Sequence, residues 1–415
     1  MSTSDQTHVI VGASLTGATA AASLREEGFD GRVVLIGEEP ERPYERPPLT
    51  KDYLRGESTR EKAYVHPEGF YREHDIELMT ETVATALDPA ISRIALADGS
   101  ELDYDRLLLA TGAEPRRMEL PGADLDGVHY LRTLADCDVL RERLVEGGSV
   151  VVIGAGWIGA EFAASAHDVG TDVTMIDPMS VPLERVLGPE VGTVYRDLHR
   201  EHGVQLVLGT GVEGFEGERS VQAVKTGDGR TIECDTVVIG IGVVPRVELA
   251  ETGGLKIDNG ILVDKGLATS APGVYAAGDV ANAWHPFYER HVRVEHWANA
   301  LNQGSAAARA MLGQDVGYDR IPYVFSDQYD AGMEYSGFAT EWDEVVFRGD
   351  PAARAFVAFW MSDERVVAGM NLNVWDVNEH VQALIRSRQV VDTSALTDPD
   401  TALDSLVDRK GTDAT

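Results

Sequence analysis

The chain has 415 residues, a length that suits two or three domains at roughly 150 residues each. Its 43% hydrophobic and 25% charged residues give the balance of a packed protein, and a formal net charge of −33 argues against nucleic acid or an anionic membrane surface as partner, a local basic patch aside. Cys137 and Cys234 form no CxxC pair, which excludes a disulfide framework, a cysteine-ligated zinc site and a CxxC dithiol centre within this chain.

The first residues are polar and lack the cationic-then-apolar plan of a secretory signal, and no apolar run reaches the ~18 residues of a membrane span. A cytoplasmic protein is expected. An apolar strand at His8–Val11 leads into the turn Gly12-Ala-Ser14-Leu15-Thr16-Gly17, then into an Ala-rich helix reaching about Glu27. A second strand, Arg32–Ile36, ends on Glu38, roughly two dozen positions after the first glycine. The same order recurs further on: strand Ser149–Ile153, turn Gly154-Ala-Gly156-Trp157-Ile158-Gly159, helix Ala160–Val169, strand Asp172–Ile176 and the acid Asp177.

Each unit has the plan of a dinucleotide-binding βαβ fold. The first glycine permits the tight turn, the second admits a pyrophosphate against the backbone, and the third lets the helix pack on the strand. The helix N-terminus then faces the phosphate, and the acid accepts from a ribose. The second copy is complete; the first has Ser14 at the middle position. Tyr104–Gly112, ending in Thr111-Gly112, and Thr236–Gly242 read as buried strands that serve the two units in the same way. Thr269–Asp279 is a strand closing on Gly278-Asp279, where the acid accepts from a polyol such as a flavin ribityl chain or else caps a helix.

A helix is expected from Trp297 to Leu312, its N-terminus offering partial positive charge. From about Ile321 the glycine fingerprints stop. Short segments at Glu344–Arg348, Ala355–Trp360 and Val366–Met370 read as antiparallel strands, followed by a helix over Val374–Arg388 and a polar, loosely held tail over Thr397–Thr415.

Taken together, these residues resemble the FAD- and NADH-dependent ferredoxin reductases of oxygenase systems. The most specific element is Tyr44-Glu-Arg-Pro-Pro-Leu-Thr-Lys51-Asp-Tyr-Leu. It is joined by Asp105–Gly112, Tyr130-Leu-Arg132-Thr, Trp157–Glu161, Ile257–Ile261 and Ser326-Asp-Gln-Tyr329. The resemblance implies an α/β fold with two Rossmann-like dinucleotide-binding domains, glutathione-reductase-like, and a C-terminal α+β interface domain. The FAD domain would be discontinuous, over 1–112 and 243–320. The NAD domain would cover 113–242 and the interface domain 321–415.

Carried across by motif, FAD would be held by Gly12, Ser14, Leu15, Thr16, Gly17, Glu38, Arg46, Lys51, Val83, Thr111, Gly112, Arg132, Gly278, Asp279, Glu295, His296 and Trp297. NADH would be held by Gly154, Gly156, Trp157, Ile158, Gly159, Asp177, Arg185 and Gly242. Trp157 would cover the nicotinamide pocket. Lys51 and Glu161 match a lysine and a glutamate that pair beside flavin N5, and they are the expected catalytic residues. Two positions depart from the pattern: Ser14 stands where a glycine is frequent, and Phe325 where a tryptophan is frequent.

The implied reaction passes electrons from NADH through flavin, one at a time, to a 2Fe-2S ferredoxin that supplies a cytochrome P-450 monooxygenase or Rieske dioxygenase. Another acceptor (rubredoxin, a quinone, oxygen) and a non-catalytic flavin-binding module are the alternatives. Because ferredoxins and this chain are both acidic, docking calls for local basic groups, with Arg290, His291 and Arg293 or Arg116 and Arg117 as the choices. Asp177 accepts from the 2′-hydroxyl of NAD and repels the 2′-phosphate of NADP. His199 and His202, and His285, His291 and His296, come with no carboxylate at ligand spacing. No metal site is expected, and these histidines are expected on exposed helix and loop surface.

Overall fold

Strands buried on both faces must be apolar at consecutive positions, and such strands pair in parallel because crossover helices cover the sheet. The runs Val9–Val11, Val33–Ile36, Val150–Ile153 and Thr236–Ile239 are of this kind, and each lies in a parallel sheet. The computed structural model describes residues 3–407. The chain divides into two units.

The first unit comprises the residues up to Pro48, Ser58–Glu114 and Val243–Arg320. Its main sheet runs, in spatial order, Val274–Ala276, Arg106–Leu109, Thr7–Val11, Arg32–Ile36 and Ile76–Met79, with every neighbouring pair parallel. The helix Leu15–Glu26 is buried along most of its length and packs against the helix Trp297–Met311. Small residues permit that approach: a Cβ on Gly304 would lie 2.6 Å from the Thr16 carbonyl oxygen.

The second unit comprises Leu49–Glu57, Pro115–Gly242 and Ile321–Thr415, described as far as residue 407. One sheet, also fully parallel, has the order Gln205–Leu208, Asp172–Asp177, Ser149–Ile153, Thr236–Ile239 and Val128–Tyr130. A second sheet is antiparallel: Tyr323–Gln328, Ala331–Gly337, Arg365–Leu372, Ala355–Ser362 and Glu344–Asp350, with the helix Asn378–Ser387 against it. The short segment Leu49–Glu57 is tied into this unit. The Cys137 thiol donates to the Leu49 carbonyl at 3.4 Å, the Ser165 hydroxyl to the Thr50 carbonyl at 2.6 Å, and the Tyr53 hydroxyl to Asp138 at 2.6 Å.

The α/β class and the parallel sheets agree with the sequence reading. Two details differ. The helix expected over Val374–Arg388 begins at Asn378, because Asn373 and Asp376 adopt left-handed φ values of 52° and 62° that interrupt a right-handed helix. His199 and His285 are buried, not exposed: each finds a polar partner inside, the Gln328 side chain for His199 and the Arg320 carbonyl for His285. A short helix, Thr393–Thr397, ends where the tail begins, another forms within the tail at Leu403–Leu406, and what was expected of 408–415 lies outside the described residues.

His8 carries a testable cost. It is 1% exposed, stacks on Phe29 at 4.0 Å, and its Nδ1 has no hydrogen-bond partner among the described residues. Burial, with Arg106 nearby, pushes its pKa down from 6.5 to about 4. The unfolded chain therefore takes up this proton at higher pH than the folded one. The stabilisation is complete above about pH 6.5 and drains away as pH falls toward 4, by at most ~3 kcal/mol. The His8→Phe variant should lose less of its thermal midpoint than the parent between about pH 7 and pH 4.5; equal slopes would refute this assignment.

Candidate functional site

In the first unit the glycine turn links the strand Thr7–Val11 to the helix Leu15–Glu26. Gly12 has φ +119°, and a Cβ there would sit 2.0 Å from the Ala110 carbonyl oxygen; a Cβ on Gly17 would sit 2.0 Å from that of Gly12. Both positions demand glycine. Ser14 is the helix N-cap, yet its side chain makes no capping bond, so the first N–H groups of the helix are left to an external acceptor. Leu15 and Thr16 are buried in the first turn. Gly278, at φ +79°, brings the end of the strand Val274–Ala276 onto Thr16, and its N–H donates to Gln303 Oε1 at 2.8 Å.

Glu38 stands at the strand end and is gripped by the Arg246 guanidinium through both oxygens, one contact being 2.8 Å. That bond, more than the opposing effect of burial, holds the Glu38 carboxyl below its ordinary range. Arg246 is itself fixed: its N–H donates to the Gly112 carbonyl at 3.0 Å, and its carbonyl accepts from the Thr111 hydroxyl at 2.7 Å. Arg46 donates to Glu39 at 3.2 Å and to the Tyr44 hydroxyl at 3.1 Å. The Asp279 carbonyl accepts from Arg293, which also pairs with Glu295. Burial raises the pKa of Glu45, opposed by the Trp297 indole nearby, and burial lowers that of His296 to about 4. Val83 is 42% exposed.

The turn in the second unit repeats the design. Gly154 (φ +98°) would place a Cβ 2.4 Å from the Gly240 carbonyl oxygen, and Gly159 would place one 1.9 Å from that of Gly154. Gly156 differs, since a Cβ there meets nothing within 4 Å. Its glycine is not required by packing and leaves an open cradle over the start of the helix Trp157–Asp168, which has no side-chain cap. Both oxygens of Asp177 are engaged: the Ala155 N–H donates to one at 2.6 Å and the Met179 N–H to the other at 2.8 Å. The acid is thereby fixed beside the glycine turn. Trp157 packs against the apolar cluster around Leu187, Tyr335 and Trp360. Arg185 is exposed, and the Gly242 carbonyl accepts from the Arg116 N–H at 2.9 Å. Arg132 lies in this unit, its N–H donating to Asp136 at 3.1 Å.

Lys51 and Glu161 meet, with Nζ 2.7 Å from Oε2 and both side chains largely buried. The same oxygen accepts from the Thr50 hydroxyl at 2.6 Å, and Oε1 accepts from the Ser326 hydroxyl at 2.6 Å. The Lys51 ammonium also lies 5.4 Å from the centre of the Phe325 ring, so an aromatic face is kept at that position. A buried carboxylate is tolerable only when paired and bonded on each oxygen, and here it is. By contrast, burial pushes both thiols, Cys137 and Cys234, up to about 12. They are inert as nucleophiles near neutral pH.

The open cradle at Gly156 and the two uncapped helix starts fit dinucleotide phosphates, and the acids after each second strand fit riboses. Four contributors were missed in the sequence: Arg246 behind Glu38, Gln303 behind Gly278, and Thr50 and Ser326 on Glu161. Thr50 and Ser326 lay inside quoted motifs; Arg246 follows a fingerprint with no signal of its own.

Residues 6–304 match the family described as pyridine nucleotide-disulphide oxidoreductase, and 323–407 match the reductase C-terminal domain. The chain is 36% identical over 405 residues to putidaredoxin reductase of Pseudomonas putida, covering 96% of each. It is 38% identical over 403 residues to the anthranilate 1,2-dioxygenase system ferredoxin–NAD(+) reductase component of Burkholderia cepacia, covering 96% of this chain and 98% of that one. The crystal structure of the covalent putidaredoxin reductase–putidaredoxin complex contains a chain 37% identical that superposes with a TM-score of 0.92, covering 97% and 98%. The resemblance read from the motifs is thus borne out, and the chain belongs to the pyridine nucleotide-disulphide oxidoreductase family, in the branch of the ferredoxin reductases of oxygenase systems.

Proposed function

We propose that this protein is an FAD-containing ferredoxin reductase that takes an electron pair from NADH and delivers the electrons singly to a 2Fe-2S ferredoxin serving a P-450 monooxygenase or Rieske dioxygenase. The observation that carries it is the buried pair Lys51–Glu161, held within 2.7 Å in the same unit as an open glycine cradle. Neither a plain binding module nor a packed core needs a buried ion pair there. The discontinuous division into an FAD domain over 1–112 and 243–320, an NAD domain over 113–242 and an interface domain over 321–415 goes with this reading.

Bound flavin supplies the change from two-electron to one-electron transfer. The chain supplies position and field. The turn Gly12–Gly17 takes the FAD pyrophosphate on the uncapped start of its helix, and Glu38, aimed by Arg246, takes the adenosine ribose. Gly154, Gly156 and Gly159 do the same for NADH, with Asp177 on its ribose. Lys51, paired with Glu161 at 2.7 Å, would supply positive charge for the reduction of the flavin. Both cysteines are free and buried, and their raised pKa keeps them out of thiolate chemistry near neutral pH. Among the described residues no helix is long and apolar enough to cross a membrane, and we place the protein in the cytoplasm. Arg290 and His291, and Arg116 and Arg117, are exposed and offer the basic contacts for an acidic ferredoxin.

Three experiments test this reading. Lys51→Met should slow reduction of the bound flavin by NADH about a hundredfold with FAD retained; unchanged stopped-flow traces would sink it. Gly156→Ala should raise the KM for NADH about tenfold at an unchanged unfolding midpoint, whereas Gly159→Ala should lower that midpoint, since its Cβ has no room. Equal behaviour of the two variants would contradict the cradle. Finally, kcat/KM should favour NADH over NADPH because of Asp177, and a preference for NADPH would remove that residue's role.

A further inference from the structure

Glu161 is the end of a longer buried chain. Its Oε1 accepts from the Ser326 hydroxyl at 2.6 Å. Ser326 Oγ lies 3.3 Å from the Gln328 amide nitrogen, Gln328 Oε1 lies 3.0 Å from His199 Nε2, and His199 Nδ1 lies 3.1 Å from the Tyr329 hydroxyl. Ser326, Gln328 and His199 are each at most 1% exposed.

The direction of every bond follows from one charge. A carboxylate paired with Lys51 only accepts, so Ser326 donates to it and must receive elsewhere. The Gln328 amide therefore turns its NH2 to Ser326 and its oxygen to His199. His199 then carries its proton on Nε2, leaving Nδ1 to accept from Tyr329. The tautomer of a buried histidine is thus set by the charge on Glu161, and all donors point the same way, toward that carboxylate. Burial pushes the His199 pKa down to about 4, which keeps the ring neutral as this polarity requires.

Tyr329 supplies a second, independent sign. It begins the two-residue connection between the strands Tyr323–Gln328 and Ala331–Gly337, and its φ is +56°, a left-handed conformation that favours glycine or asparagine. Contacts hold it there: its ring stacks on His202 at 3.7 Å and meets the edge of His199 at 5.4 Å and of His167 at 6.2 Å. A bulky residue kept in a disfavoured conformation by such contacts marks a position whose side chain is needed.

We propose that Ser326, Gln328, His199 and Tyr329 form a polarised positioning chain that fixes the rotamer of Glu161, and through it the place of Lys51. It is not a proton wire: the Gln328 amide interrupts it, and a net transfer would require that amide to change tautomer. The proposal rests on the reading of Lys51 and Glu161 given above, and its test separates the two.

The experiment is ¹⁵N NMR of histidine-labelled holoenzyme beside stopped-flow reduction by NADH. In the parent, His199 should be neutral with its proton on Nε2. Ser326→Ala, which frees the Gln328 amide to turn, should give a mixture of tautomers and slow flavin reduction about tenfold or more at an unchanged KM for NADH. Ser326→Thr, which keeps the donor, should restore both. A parent His199 protonated on Nδ1, or charged at neutral pH, overturns the chain. A Ser326→Ala protein with mixed tautomers and the parent's rate overturns its positioning role. Should Lys51→Met reduce at the parent's rate while His199 keeps the expected tautomer, it is the catalytic reading of the ion pair that fails, and the directional chain stands.

Discussion

The carbonyl oxygen of Gly154 occupies the space where any side chain on Gly159 would begin, 1.9 Å from an added Cβ, and the Gly12 carbonyl does the same to Gly17 at 2.0 Å. This close approach of helix start to strand end is the constraint from which the sites follow. It brings the first helical N–H groups to the sheet edge, where a phosphate can meet them. It also fixes the helix axis, and with it everything projected from the first turns. Glu161 lies two residues beyond Gly159, so the contact that shapes the cradle also sets where the carboxylate lies. A side chain at Gly159 would disturb nucleotide binding and the ion pair together.

Burying Glu161 is expensive unless both of its oxygens are paired or hydrogen-bonded. Three donors reach it, from two separate stretches of chain: Ser326 from the antiparallel sheet, and Thr50 and Lys51 from the short segment Leu49–Glu57. That segment has too little apolar surface to hold itself. It is pinned by the Cys137, Ser165 and Tyr53 side-chain bonds. Cys137 thus serves as a buried donor, in keeping with a thiol far above neutrality. The Lys51–Glu161 pair is better seen as a means of holding a charge in place than as a source of stability.

Much of this was legible in the sequence because it depends on local patterns. Glycine at Gly17 and Gly159 is required by contacts with the glycine five residues earlier, and consecutive apolar positions announce a strand covered on both faces. What was not legible depends on contacts across long stretches. Arg246 grips Glu38 from more than half the chain away, and nothing in its surroundings signals a partner. His199 was expected on the surface because a helix with polar neighbours reads as exposed. Its burial comes from the sheet strand carrying Gln328, whose position no local pattern reveals. The helix start misplaced near Val374 reflects two left-handed residues, Asn373 and Asp376, that propensity alone does not mark.

The two acids after the second strands, alike in sequence, are held by different means. Asp177 is fixed by two backbone N–H groups, donors that cannot rotate away. Glu38 is fixed by a guanidinium on a flexible stem, and it is 43% exposed. Backbone donors belong to the turn itself and are present whenever the turn is folded, so Asp177 is preorganised, as its proposed role with an NADH that arrives and leaves at every turnover would require. A side-chain partner can shift once a ribose competes for the carboxylate. That arrangement suits a cofactor bound once and retained, for which the cost of rearrangement is met a single time. Under the proposed assignment, the difference in anchoring matches the difference between a substrate-like NADH and a resident FAD, two roles that near-identical fingerprints do not distinguish.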